Sequence, residues 1–227
     1  MRRWTLPAAI FLLWARSASA AEFDANIDLA EWHLDSDHSL YVDSSFSYGD
    51  DAQMLVAKLT AGASVGAQLD EVDGQLLYAR AIGRGFAVLA GVRHEFVPGP
   101  RWSYAALGIE GLAIKNLAVE SYAFLSQKGD LTGEFKAVHD LPLAPRLNLQ
   151  PRAAVGWAAQ DIPRQGLASG LTALEIGMRL RIELADGFAP YAGLSHERLL
   201  GRTSAIARSA GDPQRATHAV IGFSSSF

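Results

Sequence analysis

The chain has 227 residues, a formal net charge of −4 and no cysteine. Without thiols, a disulfide framework, thiolate metal ligation and a cysteine nucleophile are all excluded. The balance of 24 acidic against 20 basic residues suits nucleic acid poorly, because that binding is dominated by basic contacts to phosphate.

Residues 1–20 read as an export signal. Arg2 and Arg3 precede an apolar run from Leu6 to Trp14, and small residues follow, ending Ser17-Ala18-Ser19-Ala20. The apolar run is too short to span a bilayer, and the small residues form a cleavage site. Cleavage after Ala20 removes Arg2, Arg3 and Arg16 and leaves 17 basic against 24 acidic residues. No later stretch reaches the roughly 20 apolar residues of a membrane helix. The remaining 207 residues, 21–227, read as a single domain with no linker or low-complexity tract.

From residue 21 onward the chain alternates with a period of two, which is the signature of strands with unlike faces. About twelve such segments occur, each near the length of a tilted transmembrane strand. Their centres fall at Asp28, Asp43, Lys58, Tyr78, Gly91, Gly108, Tyr122, Phe135, Pro151, Met178, Ala192 and Gly222. Phe86, Val88, Ala90 and Val92 oppose Ala87, Leu89, Gly91, Arg93 and Glu95. Leu147, Leu149, Pro151, Ala153 and Val155 oppose Asn148, Gln150, Arg152, Ala154 and Gly156. The clearest segment runs from Leu174 to Leu184, where Ile176, Met178, Leu180 and Ile182 oppose Glu175, Arg179, Arg181 and Glu183. The last segment ends Phe223-Ser224-Ser225-Ser226-Phe227, similar to the assembly signal of outer-membrane barrels.

Short connections at 49–52, 83–85, 114–116, 142–145 and 185–187 alternate with others that include the three longest, 63–73, 160–170 and 201–216. A bacterial outer-membrane barrel has short turns on its periplasmic side and longer loops outside. A soluble sandwich has no reason to sort its loops in this way. The expected fold is therefore an all-β antiparallel transmembrane barrel in the bacterial outer membrane, its apolar face against lipid.

The inward parity collects Arg80, Arg93, Glu95, Glu110, Glu120, Glu134, Lys136, Arg152, Glu175, Arg179, Arg181, Glu183 and Glu197. Mixed signs point to ion pairs bracing the wall, and carboxylates in a lumen also suit cations. A compact set of metal donors occurs at the first turn, where His33, Asp35, Asp37 and His38 could coordinate Cu(II) through nitrogen and oxygen. Catalysis finds little support. His94, His139 and His196 fall on the lipid-facing parity, and no G-x-S-x-G or H-E-x-x-H occurs.

Five blocks together carry a family likeness: Leu77–Ala81, Gly91–Ala113, Leu147–Asp161, Gly170–Glu183 and Phe188–Thr203, with the final Phe227. Their order and spacing resemble the copper resistance protein B family of outer-membrane barrels. The resemblance implies binding or passage of copper ions in copper homeostasis, with periplasmic copper proteins as partners, and the closing Phe227 points to the barrel assembly machinery. Family members commonly carry a Met- and His-rich segment ahead of the barrel. After the signal only Met54 and Met178 occur here, so the thioethers that favour Cu(I) are scarce. The alternative to a copper barrel is a structural or general diffusion barrel of the porin kind with no metal role.

Overall fold

The computed structural model describes residues 21–34, 39–64, 69–97, 99, 101–184 and 187–227. The signal expected at residues 1–20 lies outside them, as do Asp35, Asp37 and His38. The strands are β1 (Glu22–His33), β2 (Ser39–Gly49), β3 (Gln53–Ser64), β4 (Leu69–Gly83), β5 (Phe86–Val97), β6 (Trp102–Ile114), β7 (Leu117–Ser126), β8 (Leu131–His139), β9 (Leu141–Ala144), β10 (Leu147–Ala158), β11 (Gly170–Ile182), β12 (Phe188–Leu199) and β13 (Arg215–Ser226). A helix, α1 (Gly201–Ala210), and a short 3-10 turn (Pro163–Gln165) lie in the connections.

Strands pair antiparallel with their sequence neighbours, save that β8 and β9 each pair with β10, and β13 returns to β1 to close the wall. Closure satisfies all the ladders and leaves no edge for lipid to expose. β8 and β9 both pair with β10, through Arg152–Ala158 and Leu147–Leu149 respectively. They form one stave interrupted at Asp140, so the wall has twelve staves. All twelve centres expected from the sequence fall inside strands.

Which face is buried is settled by exposure. On β11, Ile176 and Met178 are each 51% exposed while Arg179 is 1% exposed. A water-soluble protein would reverse those values. The outward apolar band therefore meets hydrocarbon, and the charges occupy the interior.

The connections differ from expectation in three places. The turn expected at Pro142–Pro145 lies one step later, at Pro145-Arg146, with Arg146 at φ 69°. Pro142 is tolerated inside β9 because that strand has a partner only on its β10 side among the described residues. The long loop expected at 63–73 is mostly strand, since β3 runs to Ser64 and β4 begins at Leu69. The 201–216 connection contains α1, which ends where Gly211, at φ 83°, donates its N–H to the carbonyls of Ala207 and Arg208. The two long connections, 159–169 and 200–214, still emerge opposite the end where Phe227 pairs with Ala25. That end is periplasmic by the loop asymmetry.

β1 carries a bulge. Ile27 faces Ser44 and Leu29 faces Asp43, which leaves Asp28 as the extra residue. Beyond it Leu29, Glu31 and His33 all point inward and are buried.

Close approach explains one glycine in particular. A Cβ on Gly108 would coincide with the Tyr122 ring. That ring cannot easily retreat, because its hydroxyl donates to Glu110 Oε1 at 2.5 Å. Gly108→Ala should therefore destabilise the barrel by about 1–3 kcal/mol. The expected readout is a lower temperature at which the compact band on an unboiled gel converts to the unfolded one; an unchanged conversion temperature contradicts this packing.

Candidate functional site: the charged barrel interior

Three groups of ionic side chains fill the interior. The first spans the barrel. Glu110 and Glu120 are Cα partners across β6 and β7, and Glu120 partners Lys136 on β8. Like charges directly opposite are unfavourable, and Lys58 resolves the conflict by reaching from β3 on another part of the wall. Its Nζ contacts Glu110 and lies 3.3 Å from Glu120 Oε2. Lys136 Nζ lies 3.0 Å from Glu120 Oε1, and Lys58 sits 5.1 Å from the centre of the Tyr122 ring. In the same part of the interior Ser45 donates to Asp28 Oδ2 at 2.8 Å.

The second group surrounds Arg93. Its guanidinium donates to Asp73 Oδ2 at 3.3 Å, approaches Glu95 at 3.9 Å and lies over the Phe124 ring. The third group holds Arg179. Its Nε and Nη2 both reach Glu31 Oε2 at 2.7 Å, and Glu31 Oε1 meets His33 Nε2 at 3.1 Å. Arg152 lies 3.4 Å from Glu175, and Arg181 donates to Ser224.

Beside the third group, toward the loop-bearing end, is a small pocket lined by Leu29, Glu31, His33, Tyr41, Arg152, Glu175, Arg179, Ser195 and Glu197. It has room for about one water molecule. His33 is stacked on His218 with ring centroids 4.7 Å apart. With Nε2–H given to Glu31, the Nδ1 lone pair of His33 is buried without a hydrogen-bond partner among the described residues.

The interior thus gathers Arg93, Glu95, Glu110, Glu120, Glu134, Lys136, Arg152, Glu175, Arg179, Arg181 and Glu197 as the alternation anticipated. Two residues depart from it. Arg80 is exposed on the outward face, because the inward residues of β4 are Asp73, Gln75, Leu77 and Ala79. It stands near the periplasmic rim, where a long cation can reach water from the lipid face. Glu183 lies just past the end of β11, exposed, accepting from Asn148 Nδ2 at 3.0 Å. His33 belongs to the interior and not to the tip of the first turn, since β1 extends through it. Asp35, Asp37 and His38 lie outside the described residues. Among the described residues no group of three or more His, Asp and Glu side chains is arranged to hold a metal ion.

Several interior residues were not picked out by alternation. Glu31 and Leu29 follow the Asp28 bulge, which shifts the parity. Lys58 shares its face with Met54, Val56 and Thr60, so that stretch carries little contrast. Asp73 sits where a loop was expected.

The loop between β10 and β11 closes over the outer mouth. Arg164 contacts Asp130 and lies over Trp102, and Gln165 donates to Tyr104 Oη at 3.1 Å. Arg202 of α1 meets Asp161 Oδ2 at 2.8 Å, and Thr203 Oγ1 accepts from the Ala168 N–H at 3.0 Å. The Asp161 carboxyl is held below its ordinary value of 3.8, first by the Ser169 N–H and then by Arg202.

A family model described as copper resistance protein B precursor (CopB) matches residues 22–227. The chain belongs to the copper resistance protein B family. It is 34% identical over 196 residues to a copper resistance protein B homolog of Pseudomonas syringae pv. tomato, and 34% identical over 195 residues to copper resistance protein B of Escherichia coli. Each match covers 86% of this chain and 66% of the relative, so the chain spans just under two thirds of their length. Among solved structures it resembles the NanC porin, with TM-score 0.57 and 12% identity over 90% of this chain and 99% of that one. It also resembles the KdgM porin, with TM-score 0.51 and 10% identity over 92% and 99%. At such identities the likeness concerns the fold alone. Family and architecture together place the protein in the bacterial outer membrane.

Two outcomes follow from the interior and the mouth. Arg179→Leu strands Glu31 in a buried site, so it should cost about 3–5 kcal/mol of stability. Glu31→Gln in the same chain should restore part of that loss, and a double variant no better than the single one contradicts the pairing. At the mouth, the depressed Asp161 carboxyl adds stability that is present above 3.8 and lost as pH falls through its lower folded value. Hydrogen exchange across 159–169 should therefore stay protected at neutral pH and rise only at strongly acid pH; a rise that begins near neutrality contradicts the latch.

Proposed function

We propose that this protein is an outer-membrane barrel of copper resistance that takes up copper ions weakly in the outer half of its interior, as cargo in transit. Family membership supports the copper role. The observation that carries the placement is the unpartnered Nδ1 of His33, stacked on His218 and joined through Glu31 to the Arg179 strut. Imidazole nitrogen and carboxylate oxygen suit Cu(II). The donors this reading draws on are His33, Glu31 and Glu197, which line the same pocket, and His218, stacked on His33.

These donors fit a passing ion better than a resident one. Glu31 is already engaged by Arg179, and stacked imidazoles must turn before their lone pairs converge on one metal. Cargo would arrive from the loop-bearing side beneath the 159–169 segment, and the cationic side chains of Arg152 and Arg179 would slow it below the pocket. Asp35, Asp37 and His38, expected from the sequence to act with His33, lie outside the described residues. Handover to periplasmic copper proteins, and membrane insertion through recognition of Phe227 by the assembly machinery, belong to the same reading. A porin-like diffusion role with no metal is the alternative; the filled interior weighs against it.

Calorimetric titration of the refolded barrel in detergent with Cu(II) and Cu(I) provides the test. Weak heat with Cu(II), lost in His33→Ala/His218→Ala and larger than any with Cu(I), is expected. No heat with either ion, or equal heat in the double variant, overturns the placement.

A further inference from the structure

On the outward face of β12 and β13, the register produces a gradient that the copper reading does not use. Leu194 pairs with Ala219, His196 with Thr217, and Arg198 with Arg215, all on the lipid-facing parity. Each step along a strand face covers about 6.6–7 Å. Within two steps the surface passes from hydrocarbon contact, with Leu194 59% exposed, through the amphipathic His196–Thr217 bond at 2.7 Å, to two arginines on paired backbone positions. On the neighbouring strand Arg198 pairs with Leu174, and His196 with Ile176, so on β11 the apolar surface runs up alongside the arginines.

Arg198 and Arg215 are direct Cα partners, both are exposed, and neither has an ion-pair partner among the described residues. Like charges opposed across two strands are destabilising on their own. Glu197, beside Arg198 in sequence, points the other way and lines the interior pocket, so it does not offset them. The pair stands at the loop-bearing end, opposite the Ala25–Phe227 seam, and hence at the level of the outer leaflet. Arg208 of α1, exposed and held near Gln214, adds a third cation above them.

We infer that Arg198 and Arg215 form a binding site for the phosphorylated head group of lipid A in the outer leaflet. Guanidinium groups recognise phosphate oxygens in bidentate fashion, and a phosphate between the two arginines removes the repulsion that the strand register imposes. The acyl chains of the same lipid would lie along Leu174 and Ile176 on the adjacent strand and Leu194 on β12. The site is independent of whether copper binds inside.

Native mass spectrometry of the detergent-solubilised barrel tests this, with bisphosphorylated lipid A, its dephosphorylated form and phosphatidylglycerol as probes. The wild-type chain should retain bisphosphorylated lipid A in preference to both others. Arg198→Ala/Arg215→Ala should weaken retention by about thirtyfold, while Arg80→Ala at the periplasmic rim should leave it unchanged. Arg198→Lys/Arg215→Lys, which keeps the charge, should recover part of the binding. All variants should give the compact band on unboiled gels, and the single change Arg198→Gln serves if the double one does not. Undiminished retention in the alanine variant, equal loss in Arg80→Ala, or phosphatidylglycerol held as tightly as lipid A would each overturn the assignment.

Discussion

A cylinder bathed in hydrocarbon can place charge only on its inside, and charge placed there must be neutralised by charge from another part of the wall. That constraint organises this molecule. Lys58 crosses the interior to two carboxylates that the strand register sets face to face, and Arg179 reaches from β11 to Glu31 three staves away. These struts tie together staves that share no backbone hydrogen bonds. The ladders close the wall, and the struts fix its cross-section.

The same struts limit what the interior can transmit. A wide aqueous channel would leave its charges hydrated, whereas Arg179 and Lys58 are almost fully enclosed. In the outer half His33, His218 and Glu31 are buried beside a pocket with room for about one water, and at the mouth a loop is latched to Asp130 and Tyr104. The porin likeness accounts for the wall and says nothing of the contents.

The sequence made the wall legible because alternation is strongest where it faces lipid. Ile176, Met178, Leu180 and Ile182 could be placed outside from their period alone. It failed where both faces carry similar side chains or where the period breaks. Arg80 reads as interior only if every charge is assumed to hide, yet at the rim a cation can sit outside. Asp28 is an inserted residue, and no count by twos can foresee a bulge, so Glu31 and its link to Arg179 were lost. Lys58 sat among apolar inward neighbours, and its partners lie more than fifty residues away in sequence, a pairing that only closure of the barrel creates. Nothing in the local pattern marks the end of β1, so by sequence His33 groups with the turn.

The chain has no native cysteine, so single cysteines can be introduced along β11 and spin-labelled in reconstituted bilayers without background. Labels at 176, 178, 180 and 182 should be relaxed by lipid-soluble oxygen. Labels at 177 and 179 should be shielded from both oxygen and an aqueous nickel chelate. Uniform accessibility, or ready access of the nickel chelate to position 179, would contradict a filled, ionically braced interior.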